Sequence, residues 1–172
     1  LADSNRATLG DPILQPGAYD GGTLGRDTIA RLVRFEKIRF RGEPNLVDCA
    51  LAKPLRAGLV SPEISEIGVP QGTAAARRDM PLQKSGRTTG YTLGKVKDVD
   101  ATIKVDYDGK IGVFSNQILT TAMSQGGDSG SLVLNGKKHA VGLLFAGSDA
   151  VTLLNPIKMV FDALGVTLWH HR

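Results

Sequence analysis

Apolar and polar positions alternate through much of the second half of the chain, with turn signals between the runs. Two pairs of apolar runs each flank a turn dipeptide: residues 101–107 and 111–119 flank Asp108-Gly109, and residues 131–134 and 140–145 flank Asn135-Gly136. Asp-Gly and Asn-Gly between such runs are typical of tight antiparallel turns. The pattern therefore predicts two β-hairpins, preceded by a turn and a strand in residues 85–97.

The first half is less regular. Residues 1–28 hold several turn signals and are predicted to be a long loop with short extended pieces. Residues 28–40 alternate in part and predict a strand, and the apolar run at residues 46–52 encloses one acid, Asp48. Residues 53–80 are polar and rich in Pro, Gly and Ala, so they are interpreted as the connection between two halves.

One helix is indicated near the C-terminus. Asn155 is a favourable N-cap and Pro156 suits the first helical position. Apolar residues follow at helical spacing at positions 157, 160, 161 and 164, and Gly165 predicts the helix end.

Composition agrees with an all-β chain. The 172 residues include 21 glycines and only 5% aromatic residues, which fits short strands joined by many turns. The net charge is +4, but the basic residues are scattered, which disfavours a nucleic-acid partner. No apolar run approaches the roughly 20 residues of a membrane span, so no membrane partner is expected.

Cys49 is the only cysteine. A single cysteine excludes an internal disulfide and a cysteine-rich zinc site. A free thiol favours a reducing compartment, so the expected location is cytoplasmic. Neither a metal nor a cofactor is expected.

Residues 125–133, with the sequence QGGDSGSLV, carry the strongest chemical signal. A nucleophilic serine needs a tight turn that exposes its hydroxyl, and flanking glycines allow the backbone to turn sharply. The same turn can direct the N–H groups of Gly127 and Ser129 at one point, where they would form an oxyanion hole. The alternative is a glycine-rich hairpin loop without chemistry.

Residues 125–133 resemble the serine motif of the trypsin/chymotrypsin-like serine peptidase superfamily. Residues 140–148 are similar to the strand that lines the family's substrate cleft, and residues 84–96 resemble the segment that opens the second barrel in bacterial, disulfide-free members. The resemblance implies two antiparallel six-stranded β-barrels. Residues 1–75 would be the remainder of an N-terminal barrel that is incomplete at its N-terminus, and residues 76–172 would be the C-terminal barrel with Ser129 and the helix.

Residues 45–52, with the sequence NLVDCALA, resemble the family's segment that contains the catalytic acid. The resemblance implies that Asp48 orients the catalytic histidine. An ionised carboxylate inside an apolar run also needs a polar partner. The alternative is an aspartate at a strand end that caps a turn.

Asp128, beside the nucleophile, stands where the family has an acid in a buried ion pair that shapes the oxyanion turn. Bacterial members supply the cation from a basic side chain, and Lys84 stands at the corresponding position. The resemblance therefore implies an Asp128–Lys84 pair. The alternative is a solvated Lys84.

The specificity pocket is expected to be uncharged, because Met123 lies six residues before the nucleophile, where enzymes that prefer basic residues have an acid. The residues implied to form the pocket are Met123, Ser124, Gln125, Phe145, Ala146 and Gly147. Phe145 also stands where many relatives have a serine that bonds the catalytic acid, which leaves the means of fixing Asp48 open.

The histidine that the family places before its aspartate is missing, since the three histidines are His139, His170 and His171. None of them is expected to be the base. Leu1-Ala2 resembles the end of the stretch that follows the family's histidine. The base is therefore expected on a segment upstream of Leu1, which would act as a partner of this chain.

These features favour a serine endopeptidase that acts on peptides or proteins through an acyl-enzyme on Ser129, and this chain would be inactive without the histidine segment. Two alternatives stay open. The chain could be a non-catalytic binding module of the same fold, or a hydrolase that processes its own chain.

Overall fold

The protein, described here by a computed structural model over residues 2–168, is built mainly from β-strands. Leu1 and residues 169–172, which include His170 and His171, lie outside the described residues. Within residues 2–168 the strands and the α-helix are β1 (Pro12–Leu14), β2 (Thr28–Phe35), β3 (Ala50–Pro54), β4 (Gly72–Thr73), β5 (Pro81–Gly86), β6 (Gly90–Tyr107), β7 (Lys110–Thr121), β8 (Leu132–Asn135), β9 (His139–Gly147), β10 (Val151–Pro156) and α1 (Ile157–Leu164). Short 3₁₀ helices lie at Asp3–Asn5 and Ala18–Asp20.

Strands β5 to β10 close into a six-stranded antiparallel barrel. β5 pairs with β6 and β8, β7 pairs with β6 and β10, and β9 pairs with β8 and β10. Closure leaves none of these strands as a free edge. The barrel core consists of buried apolar side chains from all six strands and the loop after β7: Leu82, Val96, Ile118, Met123, Val133, Val141, Leu144 and Leu154. The predicted second barrel is confirmed.

Both predicted hairpins are present. The β6–β7 turn is Asp108-Gly109, where both residues have positive φ. The β8–β9 connection is residues 136–138, one residue longer than a two-residue turn. β6 starts at Gly90 and is longer than the sequence pattern indicated, and three register shifts between Val96 and Ile103 bend it. The outer part of the hairpin, residues 101–107 and 110–117, pairs with neither β5 nor β10 and so extends beyond the barrel.

The first half contains a three-stranded sheet in the order β1-β2-β3, with antiparallel pairing. The strand predicted for residues 28–40 ends at Phe35. Only the end of the apolar run 46–52 is in a strand, so Asp48 lies two residues before β3. In the connection, β4 pairs in parallel with β9 and ties the linker to the barrel.

The prediction that Asn155 caps the helix is wrong. Asn155 belongs to β10, and Pro156 is the N-cap residue, without a side-chain cap hydrogen bond. The Asn155 side chain is instead fully buried and joins two other polar groups, because buried polar atoms must be satisfied. The predicted end at Gly165 is confirmed by its left-handed conformation with φ 66°. No described helix is long and apolar enough to cross a membrane.

Candidate active site

Ser129 lies on the loop between β7 and β8, on a turn attached to β9. Two successive turns across residues 125–131 are each closed by a backbone hydrogen bond of 3.1 Å. Gly130 N–H donates to the carbonyl oxygen of Leu144 at 2.7 Å and anchors the turn. Ser129 Oγ donates to the carbonyl oxygen of Phe145 at 3.4 Å, which is a long hydrogen bond. The nucleophile candidate is thus held on a fixed turn by its backbone and not by its hydroxyl.

Gly127 has a conformation and a location that other residues cannot readily adopt. Its φ is +99°, and a Cβ atom there would collide with the hydroxyl oxygen of Thr88. Within residues 2–168, the N–H groups of Gly127 and Ser129 donate to no acceptor. Two backbone donors of one turn are therefore available to an anionic oxygen.

The Asp128 carboxylate is fully buried behind this turn and accepts hydrogen bonds on both oxygens. Oδ1 accepts from the N–H groups of Thr88 at 2.8 Å and Thr89 at 3.2 Å. Oδ2 accepts from the Thr89 hydroxyl at 2.7 Å and Gln125 N–H at 3.0 Å, and Lys84 Nζ lies 3.4 Å away. Burial by itself would raise the pKa of Asp128, but the hydrogen bonds from Gln125, Thr89 and Thr88 outweigh it and hold the pKa well below its ordinary value.

Lys84 reaches Asp128 from inside the barrel wall. Its ammonium group also donates to the carbonyl oxygen of Gly90 at 3.0 Å and to the hydroxyl of Thr89. Gly86 makes room for the pair, because a Cβ atom there would lie 2.5 Å from Asp128 Oδ1. Lys84 and Asp128 therefore lie side by side, as the resemblance implied. Lys84 is wholly buried, so it is not solvated.

Asp48 is 2% exposed and is bonded to the barrel through both its side chain and its backbone. Tyr107 donates its hydroxyl to Asp48 Oδ2 at 3.0 Å. Asp48 N–H donates to Asn155 Oδ1 at 3.0 Å, and Asn155 Nδ2 donates to Gln117 Oε1 at 2.7 Å. Burial raises the pKa of the Tyr107 phenol above its ordinary value, and the neighbouring Asp48 charge raises it further.

A row of aromatic side chains leads from Ser129 to Asp48. The Phe145 residue that accepts from Ser129 has its ring centroid 5.0 Å from that of Phe114. The Phe114 ring lies 6.2 Å from the ring of Tyr107, which bonds Asp48. Ser129 and Asp48 are therefore linked by a short series of direct contacts.

The six residues implied for the specificity pocket are not all available to a substrate. Met123 is 4% and Phe145 is 6% exposed, and both side chains pack in hydrophobic clusters. The Met123 sulfur fills the space beside Gly94, where a Cβ atom would lie 2.6 Å away. These two side chains are consequently core residues and do not line an open pocket. The other four residues are at least partly exposed: Ser124, Gln125, Ala146 and Gly147.

A cleft of about 980 Å³ separates the first half from the Ser129 turn. Residues 14–20 form one wall, and Arg87 and Gly127 lie on the other. Arg87 crosses the cleft, since it forms a two-point ion pair with Asp20 and lies 4.9 Å from the Tyr19 ring centroid. A smaller cleft of about 410 Å³ lies on the Ser129 turn itself.

His139 is far from Ser129. It is the first residue of β9, and Phe145, which contacts Ser129, is six residues further along the strand. At about 3.3 Å per residue, the separation along the strand is about 20 Å, well beyond hydrogen-bond reach. Among residues 2–168, no group of three or more His, Cys, Asp or Glu side chains could hold a metal ion.

The chain matches no family model and no curated protein. Several solved structures are similar to it in three dimensions. Protease A of Thermobifida fusca is 23% identical over 83% of this chain and 75% of its own, with a TM-score of 0.66. The chymotrypsin of Cellulomonas bogoriensis is 21% identical over 95% of this chain and 90% of its own, with a TM-score of 0.66. A Nocardiopsis protease is 18% identical over 97% of this chain and 82% of its own, with a TM-score of 0.68.

The chain has the fold of the bacterial chymotrypsin-like serine proteases. In this chymotrypsin-like fold, sequence reasoning did not identify four residues that hold the candidate site together: Thr88, Thr89, Tyr107 and Asn155. The two threonines could have been identified from the sequence, because they follow Lys84 across one tight turn. Tyr107 was not, since it lies 59 residues from Asp48 and reaches it through a bent hairpin.

Proposed function

We propose that this chymotrypsin-like chain supplies the nucleophile and the acid of a serine endopeptidase, and that a histidine on a segment outside this sequence supplies the base. The observation that carries the proposal is the Ser129 turn. It offers two unoccupied backbone N–H groups and is fixed by the buried Asp128–Lys84 pair. Peptides or proteins would be the substrates, and no cofactor would take part.

The chemistry would be acyl transfer in two steps. The histidine removes the proton from Ser129 Oγ as the oxygen attacks the scissile carbonyl carbon, and the carbonyl oxygen becomes an anion. The N–H groups of Gly127 and Ser129 stabilise that anion, by about 3 kcal/mol for each donor. The C–N bond then breaks, the histidine protonates the leaving amine, and water hydrolyses the ester of Ser129 by the reverse proton transfers.

Asp48 would orient the histidine and stabilise its cationic form. Its burial and its bonds to Asn155 and Tyr107 support this role, because an orienting carboxylate must itself be fixed. A base in position contributes about 10²–10⁴-fold to the rate, so the chain without it should be nearly inactive.

Free imidazole can replace the absent side chain in a direct test. The protein is incubated with p-nitrophenyl acetate over a range of imidazole concentrations, and the rate of a Ser129→Ala variant is subtracted. We expect a Ser129-dependent rate that rises with imidazole and saturates, together with acetylation of Ser129 detected by mass spectrometry. Equal rates for the two proteins at every imidazole concentration would refute the proposal.

A non-catalytic binding function is the second candidate. The observation that favours it is the distance of His139 from Ser129, since His139 is the histidine among residues 2–168. Under this hypothesis, Ser129 resists both acetylation and fluorophosphonate labelling with or without imidazole. Peptide binding in the cleft beside Arg87 would then be unchanged by Ser129→Ala.

A further inference from the structure

The outer part of the β6–β7 hairpin lies on the first half of the molecule. Asn45 N–H donates to the carbonyl oxygen of Val113 at 2.8 Å, and Ser115 N–H donates to the carbonyl oxygen of Asn45 at 3.0 Å. At the tip, Arg6 lies 3.4 Å from a carboxylate oxygen of Asp108. The hairpin end is thus held by backbone and charge contacts, and Tyr107 is the last residue of β6 at this end.

The Tyr107 ring is packed on two sides. The Phe40 ring meets it edge-on with a centroid distance of 6.0 Å, and the fully buried Phe114 lies 6.2 Å away. A phenol has only two side-chain torsions, so packing of the ring fixes the position of the hydroxyl. That hydroxyl donates to Asp48 Oδ2 at 3.0 Å.

The ring packing also joins Tyr107 to the nucleophile. Phe114 contacts the ring of Phe145, whose carbonyl oxygen accepts from Ser129 Oγ. Phe145 itself has no side-chain donor to offer to the acid. Tyr107, at the hairpin tip, does donate to the Asp48 carboxylate.

We propose that Tyr107 is a positioning residue, whose hydroxyl holds the Asp48 carboxylate in the orientation that the histidine base requires. The inference rests on the proposed function and adds a residue to it. The bond from Tyr107 restrains the buried Asp48 carboxylate, and without that restraint the carboxylate holds the imidazole in a less well-defined orientation.

The test uses the imidazole-dependent, Ser129-dependent rate. Tyr107→Phe removes one hydroxyl and keeps the ring, and Tyr91→Phe is the matched control. Tyr91 also lies on β6, but it is 40% exposed and donates to Gln83. We expect Tyr107→Phe to raise the half-saturating imidazole concentration about tenfold, because a hydrogen bond to a charged group is lost. Tyr91→Phe should leave it unchanged.

A second pair of variants separates positioning from general stability. Asp48→Asn keeps an oxygen that accepts from Tyr107 but removes the charge. In that background, Tyr107→Phe should have no further effect on the half-saturating imidazole concentration, because the two residues act as one unit. Additive effects, or equal imidazole dependence of Tyr107→Phe and Tyr91→Phe, would overturn the positioning role alone. A complete lack of Ser129-dependent turnover in the unmodified protein would instead overturn the proposed function, and the positioning role with it.

Discussion

Lys84 Nζ lies 3.4 Å from Asp128 Oδ2, and neither side chain is exposed to solvent. A buried charge pair is costly to break, because removal of one partner leaves the other uncompensated in a medium that solvates it poorly. The pair also sits directly behind the Ser129 turn, since Asp128 precedes the serine. Asp128 therefore ties the Ser129 turn to the barrel wall, where Lys84 lies.

Lys84→Met should lower the free energy of unfolding by about 3–5 kcal/mol, because it leaves the Asp128 carboxylate without its cation. Urea denaturation followed by far-UV circular dichroism measures the change. Lys158→Met is the control, since Lys158 belongs to an exposed pair with Asp162, and we expect little effect there. Adding Asp128→Asn to Lys84→Met should restore part of the loss. A small effect of Lys84→Met would contradict the importance of the pair.

Stability should fall in acid through Asp128. Its pKa is lowered in the folded protein, so the unfolded chain binds a proton first as the pH drops. The stabilisation is therefore fully present above about pH 4, the ordinary aspartate value, and is lost below it. Thermal melting between pH 2 and pH 6 measures the slope. An Asp128→Asn variant should be less stable at pH 6 but should show a shallower decline, and parallel curves would argue against this assignment.

Stability should also fall at high pH through Tyr107. The pKa of its phenol is raised in the folded protein, so the contribution is present below about pH 10 and is lost as the pH rises above it. Urea midpoints at pH 8 and pH 11 measure the loss. Tyr107→Phe should reduce this dependence, whereas Tyr91→Phe should retain it. Identical behaviour of the two variants would contradict the prediction.

Gly127→Ala should distort the Ser129 turn. The added methyl group meets the Thr88 hydroxyl, and φ is +99°, so we expect a destabilisation of about 1–3 kcal/mol. Gly126→Ala is a matched control for stability, because nothing lies within 4 Å of its Cβ position and its φ is not in the left-handed range. Denaturation curves compare the two variants. If both had the same stability, the turn would be more adaptable than its contacts indicate.

Local sequence signals made the barrel hairpins predictable. Long-range contacts determined the features that the sequence did not predict, such as the role of Asn155. Asp108-Gly109 fixes its turn within a few residues, so the alternating pattern located β6 and β7. Asn155 before a proline has the local pattern of a helix cap. Its side chain instead accepts a hydrogen bond from the buried backbone N–H of Asp48. Polar groups in the core must be satisfied, and this tertiary requirement outweighed the local preference.

The pocket prediction shows the same limit. The sequence motif indicated that Met123 lies near Ser129, but it did not indicate the direction of the Met123 side chain. The Met123 side chain packs in the barrel core, in the space that Gly94 leaves free. The sequence around Met123 does not indicate that space. Residue spacing thus indicated which segments meet, and packing determined which atoms face the cleft.

Asp128 takes its hydrogen bonds from residues of the barrel and of the turn that contains it: Lys84, Thr88, Thr89 and Gln125. None of these donors belongs to the three-stranded sheet. A partly unfolded state in which that sheet has opened while the barrel persists would consequently keep the Ser129 turn formed. In such a state the Ser129 turn would not have to form again when the three-stranded sheet refolds.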